Sequence, residues 1–109
     1  MKVVIIEDEV NASEYLISIL KKIVPDVIIL ETFDSIKTAV NYFQVHSDYD
    51  LLFMDIQIAD GLSFEIFNHV TIDKPVIFTT AYDQYAIEAF KVNSIDYLLK
   101  PIHLSLIHI

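Results

Sequence analysis

Three carboxylates, two hydroxyls and one lysine stand directly after apolar runs, and their types and placement point to phosphoryl chemistry. Glu7 and Asp8 follow Val3–Ile6. Asp55 ends the stretch Leu51-Leu52-Phe53-Met54-Asp55. Thr79 and Thr80 end the run that begins at Val76, and Lys100 follows Ile95–Leu99 and precedes Pro101. Carboxylates brought together repel one another and at neutral pH call for a cation. An all-oxygen ligand set suits Mg²⁺, which is held by a few carboxylates and keeps several waters. A metal joining a carboxylate to a phosphoryl oxygen neutralises the charge that otherwise bars attack on phosphorus. Asp55 would then be a nucleophile forming an acyl phosphate. Lys100 would pair with a phosphoryl oxygen as a mobile point charge, and the Thr80 hydroxyl would donate to another. Each residue also has an ordinary reading. Glu7 or Asp8 would cap a helix, Asp55 would form a turn, Lys100 would be solvated, and the threonines would be β-branched strand residues. The conjunction at successive run ends separates the two readings.

The runs are what must bring these residues together. Val3–Ile6, Val27–Leu30, Leu51–Met54, Val76–Thr79 and Ile95–Leu99 are too short for helices and are continuously apolar, as strands buried on both faces are. Between them lie helical patterns. Ala12, Tyr15, Leu16, Ile19, Leu20 and Ile23 form one stripe, with Asn11 and Glu14 read as its cap and reciprocal carboxylate. Pro25 stops that helix. Ile36, Ala39, Val40 and Phe43 mark a second helix, opened by Asp34 or Ser35. A third is expected from about Leu62 to Val70 after the Asp60-Gly61 turn, and a fourth carries Tyr82, Ala86, Ala89 and Phe90. This alternation means βαβ units, a parallel sheet and helices on both of its faces. In such sheets, ligands bind beyond the carboxyl ends of the strands, where all these polar residues fall.

Composition narrows the function. The chain has 109 residues and a formal charge of −9, so nucleic acid and anionic lipid should repel it. Cys is absent, which removes disulfides, thiolate catalysis and Cys-ligated zinc. A single glycine, Gly61, excludes a Gly-rich phosphate cradle. No apolar run approaches the ~18 residues of a membrane span, and the start of the chain is not a secretion signal. The expectation is a single cytoplasmic α/β domain. His46, His69, His103 and His108 have no metal-ligand spacing and are read as surface residues.

The acidic pair Glu7-Asp8, the strand ending in Asp55, Thr80-Ala81 and Lys100-Pro101 together resemble the receiver domain of two-component response regulators. The segments Thr79–Ala86 and Ile95–Pro101 are most similar to receivers joined to LytTR-type DNA-binding domains. The resemblance spans Met1 to about Ile102. It implies a three-layer, flavodoxin-like fold with a five-stranded sheet of order 2-1-3-4-5. It also implies that Asp55 is the phosphoacceptor, and that Asp8 ligates Mg²⁺ directly. Glu7 would contribute mainly through water, and the backbone carbonyl of Gln57 would be a further ligand. Thr80 would be the switch hydroxyl, Lys100 the phosphate-pairing lysine, and Tyr97 the aromatic that swings inward when Thr80 moves. The Lys100–Pro101 bond would be cis. A sensor histidine kinase would donate the phosphoryl group, and the fourth helix and fifth strand would form a homodimer face. DNA would be reached only through an output domain outside this chain.

The sequence departs from that pattern after Pro101. Residues 103–109 form a short, uncharged apolar tail where the family has a fifth helix, so that helix is expected to be truncated or replaced. The tail is read as the end of a truncated piece or as a segment packing against a second copy, with an exposed apolar patch in either case. Other functions fit less well. An aspartyl-phosphate phosphatase needs an acid–base group two residues past its nucleophile, where Gln57 stands. A flavodoxin-like cofactor binder would set phosphate against Glu7-Asp8-Glu9. A phosphorylation-independent interaction module of the same fold leaves the intact site unexplained.

Overall fold

The computed structural model describes residues 1–80 and 96–100. In chain order these form β1 (Lys2–Ile6), α1 (Val10–Ile23), β2 (Ile28–Phe33), α2 (Ile36–Phe43), β3 (Leu51–Asp55), a 3₁₀ segment (Ser63–Asn68), β4 (Val76–Thr80) and β5 (Asp96–Leu99). The strands pair in parallel in the order β2-β1-β3-β4-β5, the order implied by the resemblance.

Side chains alternate across the pleat, so each strand feeds two cores. On one face Val3, Ile5, Leu51, Phe53 and Ile77 pack with Leu16, Ile19 and Leu20 of α1. On the other, Val4, Ile6, Leu52, Met54, Val76 and Phe78 pack with Ala39 and Phe43 of α2 and Ile66 of the 3₁₀ segment. This is the three-layer arrangement. β3 and β4 are buried along their whole length, as continuous apolar runs require. β2 is not: it is the sheet edge, and Ile28, Glu31 and Thr32 are exposed. The expectation of burial on both faces fails there because apolar character reports strand formation, not position within the sheet. A register irregularity between Val3 and Val4 adds to this, setting Val4 opposite Glu31.

The helices differ from their expected form in two places. α1 begins at Val10 behind Glu9, and no side chain caps it. Asn11 and Glu14 lie inside the helix and are exposed. The backbone N–H of Glu9 instead donates to the Glu7 carboxylate (3.1 Å), so the candidate site, not a capping box, sets where the helix starts. The third helix is a 3₁₀ segment. Ser63 and Ile66 are buried three residues apart, and Phe64 and Phe67 are half-buried at the same spacing. That three-residue repeat suits a 3₁₀ turn better than an α-helix. The C-terminus of α1 falls where Pro25 predicts, and Lys21 and Lys22 lie in its last turn, where the helix dipole favours them.

The Ser63 hydroxyl is buried and has no hydrogen-bond partner among the described residues. A buried orphan hydroxyl costs on the order of 1 kcal/mol or more. Ser63→Ala is therefore expected to raise the thermal midpoint by a few degrees; a lower midpoint would show that the hydroxyl contributes to stability.

The start of α2 is satisfied almost entirely by side chains. The Asp60 carboxylate accepts from the backbone N–H groups of Ile36 (2.7 Å) and Lys37 (3.2 Å). The Ser35 hydroxyl, the N-cap, accepts from Thr38 N–H (3.2 Å). These are orphan donors that any helix start leaves open. The hydrogen bond from Ile36, helped by that from Lys37, holds the Asp60 carboxyl below its ordinary pKa. Its contribution is therefore complete above the ordinary carboxylate range and is lost as pH falls through the lowered value.

Candidate functional site

Parallel strands place their carboxyl ends on one edge, and the registers bring the polar run ends side by side. Ile6 pairs with Met54, Asp55 with Thr79, and Thr80 with Leu99. Backbone hydrogen bonds extend the sheet past the strands: Glu7 N–H donates to Phe33 O (2.8 Å), Ile56 N–H to Thr79 O (3.1 Å) and Lys100 N–H to Thr80 O (2.7 Å). The backbone at Glu7, Asp55 and Lys100 is thus held by the sheet, which limits how far their side chains can drift.

Glu7, Asp8 and Asp55 each present a carboxylate oxygen within 4.8 Å of the others. The Lys100 ammonium donates to Glu7 Oε1 (2.6 Å) and to Asp55 Oδ2 (3.0 Å). Glu7 and Asp55 are buried and Asp8 is exposed. One lysine thus faces three carboxylates, which leaves a net negative charge among hard oxygen donors. Burial pushes the Glu7 carboxyl above its ordinary value, and the Asp55 charge adds to this against the lowering effect of the Lys100 hydrogen bond. Asp8 is also raised, first by desolvation and then by Glu7. For Lys100, burial pulls down, but the hydrogen bonds to Glu7 and Asp55 outweigh it and its pKa is raised. A bound divalent cation would relieve the carboxylate repulsion. The donor set fits Mg²⁺: it is all oxygen, partly buried and open to water at Asp8.

Thr80 ends β4 with its side chain buried, one residue beyond Thr79, the ladder partner of Asp55. Gln57 is exposed and opens a two-residue antiparallel ladder, Gln57–Ile58 against Gly61–Leu62, directly after Asp55. The backbone of Tyr97 pairs with Phe78. The inward swing of its side chain, the Lys100–Pro101 isomer, the fourth helix, the dimer face that includes it and the tail 103–109 lie outside the described residues. His46 and His69 are exposed, as expected, and neither joins the cluster of Glu7, Asp8 and Asp55; His69 Nε2 lies 3.5 Å from Glu65. Lys100, expected from the sequence to pair with a phosphoryl oxygen, bridges Glu7 and Asp55. Asp60, expected from the sequence as part of a turn, also reaches back to cap α2. Its Asp-Gly pair signals the turn, but nothing in the sequence signals that contact.

The family model for the response regulator receiver domain matches residues 3–109. The chain belongs to the response regulator receiver domain family. It is a phosphoacceptor receiver domain of the two-component kind. It is 38% identical to the sensory transduction protein LytT of Bacillus cereus over 104 residues, covering 93% of this chain and 42% of that protein. It is 40% identical over 104 residues to LytT of Enterococcus faecalis, with the same coverage of 93% and 42%. The transcriptional regulatory protein LytR of Staphylococcus aureus is 35% identical over 104 residues, again at 93% and 42%. The receiver domain therefore spans well under half the length of these curated relatives. Among solved structures, the response regulatory domain of protein mrkE from Klebsiella pneumoniae superposes with a TM-score of 0.85 at 29% identity, covering 97% of this chain and 88% of that one. The likeness to LytT and LytR agrees with the LytTR-associated branch expected from the sequence. Receiver domains of response regulators are phosphorylated by sensor histidine kinases and are in general not turnover enzymes. Among the described residues, no helix is long and apolar enough to cross a membrane.

Proposed function

We propose that Asp55 is the phosphoacceptor of this receiver domain and that Glu7, Asp8, Asp55 and the backbone carbonyl of Gln57 hold Mg²⁺. One observation carries this reading. Three carboxylates gather within 4.8 Å at the strand ends, and a lysine donates to two of them. A carboxylate oxygen of Asp55 attacks the phosphorus of a phosphohistidine on a sensor kinase. The P–O bond forms, the P–N bond breaks, and the imidazole leaves with the electron pair. When bound, Mg²⁺ supplies charge neutralisation at the phosphoryl oxygens. The Asp55 backbone is held by its pairing with Thr79 of β4, which limits the positions its carboxylate must sample before attack. Lys100, released from one carboxylate oxygen, pairs with a phosphoryl oxygen, and Thr80 donates its hydroxyl to another.

Those two movements bias a two-state surface on β5 and the helix before it, with Tyr97 following Thr80 inward and the cis Lys100–Pro101 bond aiming the lysine. The surface is a homodimer face, and dimerisation controls a LytTR-type DNA-binding domain in the complete cytoplasmic protein. Residues 1–102 form the receiver and 103–109 the tail. The domain's only chemistry is its own phosphorylation and hydrolysis of the acyl phosphate. Intact mass after incubation with acetyl phosphate tests this. A single phosphoryl adduct is expected with Mg²⁺ and none with chelator, and peptide mapping should place it on Asp55. No adduct on folded protein with Mg²⁺ would instead favour a phosphorylation-independent interaction module.

A further inference from the structure

The loop between the acceptor and the 3₁₀ segment is a closed hairpin. Its first residue, Ile56, is fully buried, and both of its backbone groups are bonded: N–H to Thr79 O (3.1 Å), and O from Ser63 N–H (2.7 Å). Gln57–Ile58 then pairs with Gly61–Leu62. Gly61 turns the chain back at φ +138°, a backbone conformation that side chains disfavour. The base of the hairpin is thus fixed to the sheet. Its tip touches a different part of the molecule. There Asp60, 24 residues from Ile36, gives both carboxylate oxygens to the first N–H groups of α2. α2 in turn starts directly after β2, and Thr38 of its first turn lines one cleft with Glu7, Asp8 and Asp34. Asp60 therefore ties the polar tip of the loop after Asp55 to the start of α2, on the rim of the acidic site, while Ile58 of the same loop shares a core with Ala39 and Phe43 of that helix.

We propose that Asp60 is a positioning residue: by clamping the hairpin tip to the start of α2, it fixes the segment carrying Gln57 and so sets cation affinity at Glu7, Asp8 and Asp55. This rests on the reading of those carboxylates as a Mg²⁺ site. The packing of Ile58 anchors the hairpin on α2 without direction, and the two-point clamp adds directional bonds that restrain the tilt and height of its tip. Outer contacts that orient metal ligands commonly govern affinity by about 10–100-fold.

Mg²⁺ titration followed by calorimetry and by backbone amide NMR shifts tests this on four variants of the chain: Asp60→Ala, Asp60→Asn, Ser35→Ala and Asp8→Asn. Ser35→Ala removes a cap from the same helix without touching the hairpin, so it reports general weakening of α2. Asp60→Ala is expected to weaken Mg²⁺ binding about tenfold, with faster hydrogen exchange at Ile36 and Lys37 and shifted amides from Ile56 to Leu62. Asp60→Asn keeps one side-chain carbonyl for capping and should fall between Asp60→Ala and wild type. Ser35→Ala should lower the thermal midpoint but leave Mg²⁺ affinity as in wild type. If Asp8→Asn weakens binding while Asp60→Ala binds like wild type, the positioning role is overturned and the metal reading stands. If Asp60→Ala and Ser35→Ala weaken binding equally, helix stability and not the clamp is responsible, and the proposal again fails. If Asp8→Asn leaves Mg²⁺ binding unchanged, the metal reading itself fails. Should Asp60→Ala not fold, Asp60→Asn decides: weakened Mg²⁺ binding with faster exchange at Ile36 or Lys37 supports the clamp, and wild-type affinity overturns it.

Discussion

Asp55→Asn is expected to abolish the phosphoryl adduct formed from acetyl phosphate while leaving the domain folded. The substitution keeps shape and volume, and an Asn carbonyl can still accept from the Lys100 ammonium, which now reaches Asp55 at 3.0 Å. It removes the nucleophile, because an amide oxygen does not form a stable acyl phosphate. It also removes one of three mutually repelling carboxylates, so stability in chelator should hold or rise. The effect on phosphorylation is total and the effect on folding small, a separation that a merely structural Asp55 would not give. Intact mass and a urea transition on the same sample measure both. An adduct of wild-type yield on Asp55→Asn would move the acceptor to another residue, with Asp8 the first to map.

Phe78→Ala is expected to have the largest effect on stability. Phe78 is fully buried in β4, between Met54 of β3 and Tyr97 of β5 in the ladder, and its ring meets Phe64 at 5.1 Å and Phe67 at 6.2 Å. Truncating a fully buried Phe to Ala costs about 3–5 kcal/mol, from lost transfer energy and the cavity left behind. Domains of this size are stable by about 5–15 kcal/mol, so the variant would sit near its unfolding threshold. The same strand carries Thr79 and Thr80, so the cavity also loosens the strand beside Asp55. Chemical denaturation should show a much lower midpoint with an unchanged slope. A loss under about 1 kcal/mol would mean that the site can collapse around the deletion, as well-relaxing cores do.

Much of the fold was legible because its physics is local. Apolar runs too short to be helices, separated by stretches of helical spacing, leave few arrangements besides a parallel sheet covered on both faces. The polar residues that follow those runs must then share one edge, since parallel strands all end on the same side. Asp55, Glu7, Asp8, Thr80 and Lys100 are therefore grouped by sequence alone. The chemistry of their side chains, oxygen donors plus one ammonium, already pointed to a cation and a phosphoryl group. Pro25 as the stop after α1 was equally local, and so was the α2 cap, narrowed by sequence to Asp34 or Ser35 and settled by the structure on Ser35.

Tertiary structure decided what depends on distant neighbours. β2 has the composition of a buried strand, but it is the edge, and half of its residues meet solvent. The start of α1 follows the Glu7 carboxylate, because a site residue already holds the N–H of Glu9. The segment after Gly61 is 3₁₀ because Ser63 is pinned to Ile56, and its aromatic residues are shared with β4. The pairing of Lys100 with both Glu7 and Asp55 spans 93 and 45 residues, and the Asp60 clamp spans 24. Residue types and spacing determined which groups this protein could bring to one edge. Only the packing of two layers of helices on the sheet determined which of those groups touch, because a contact between residues far apart in sequence is set by the geometry of everything folded between them.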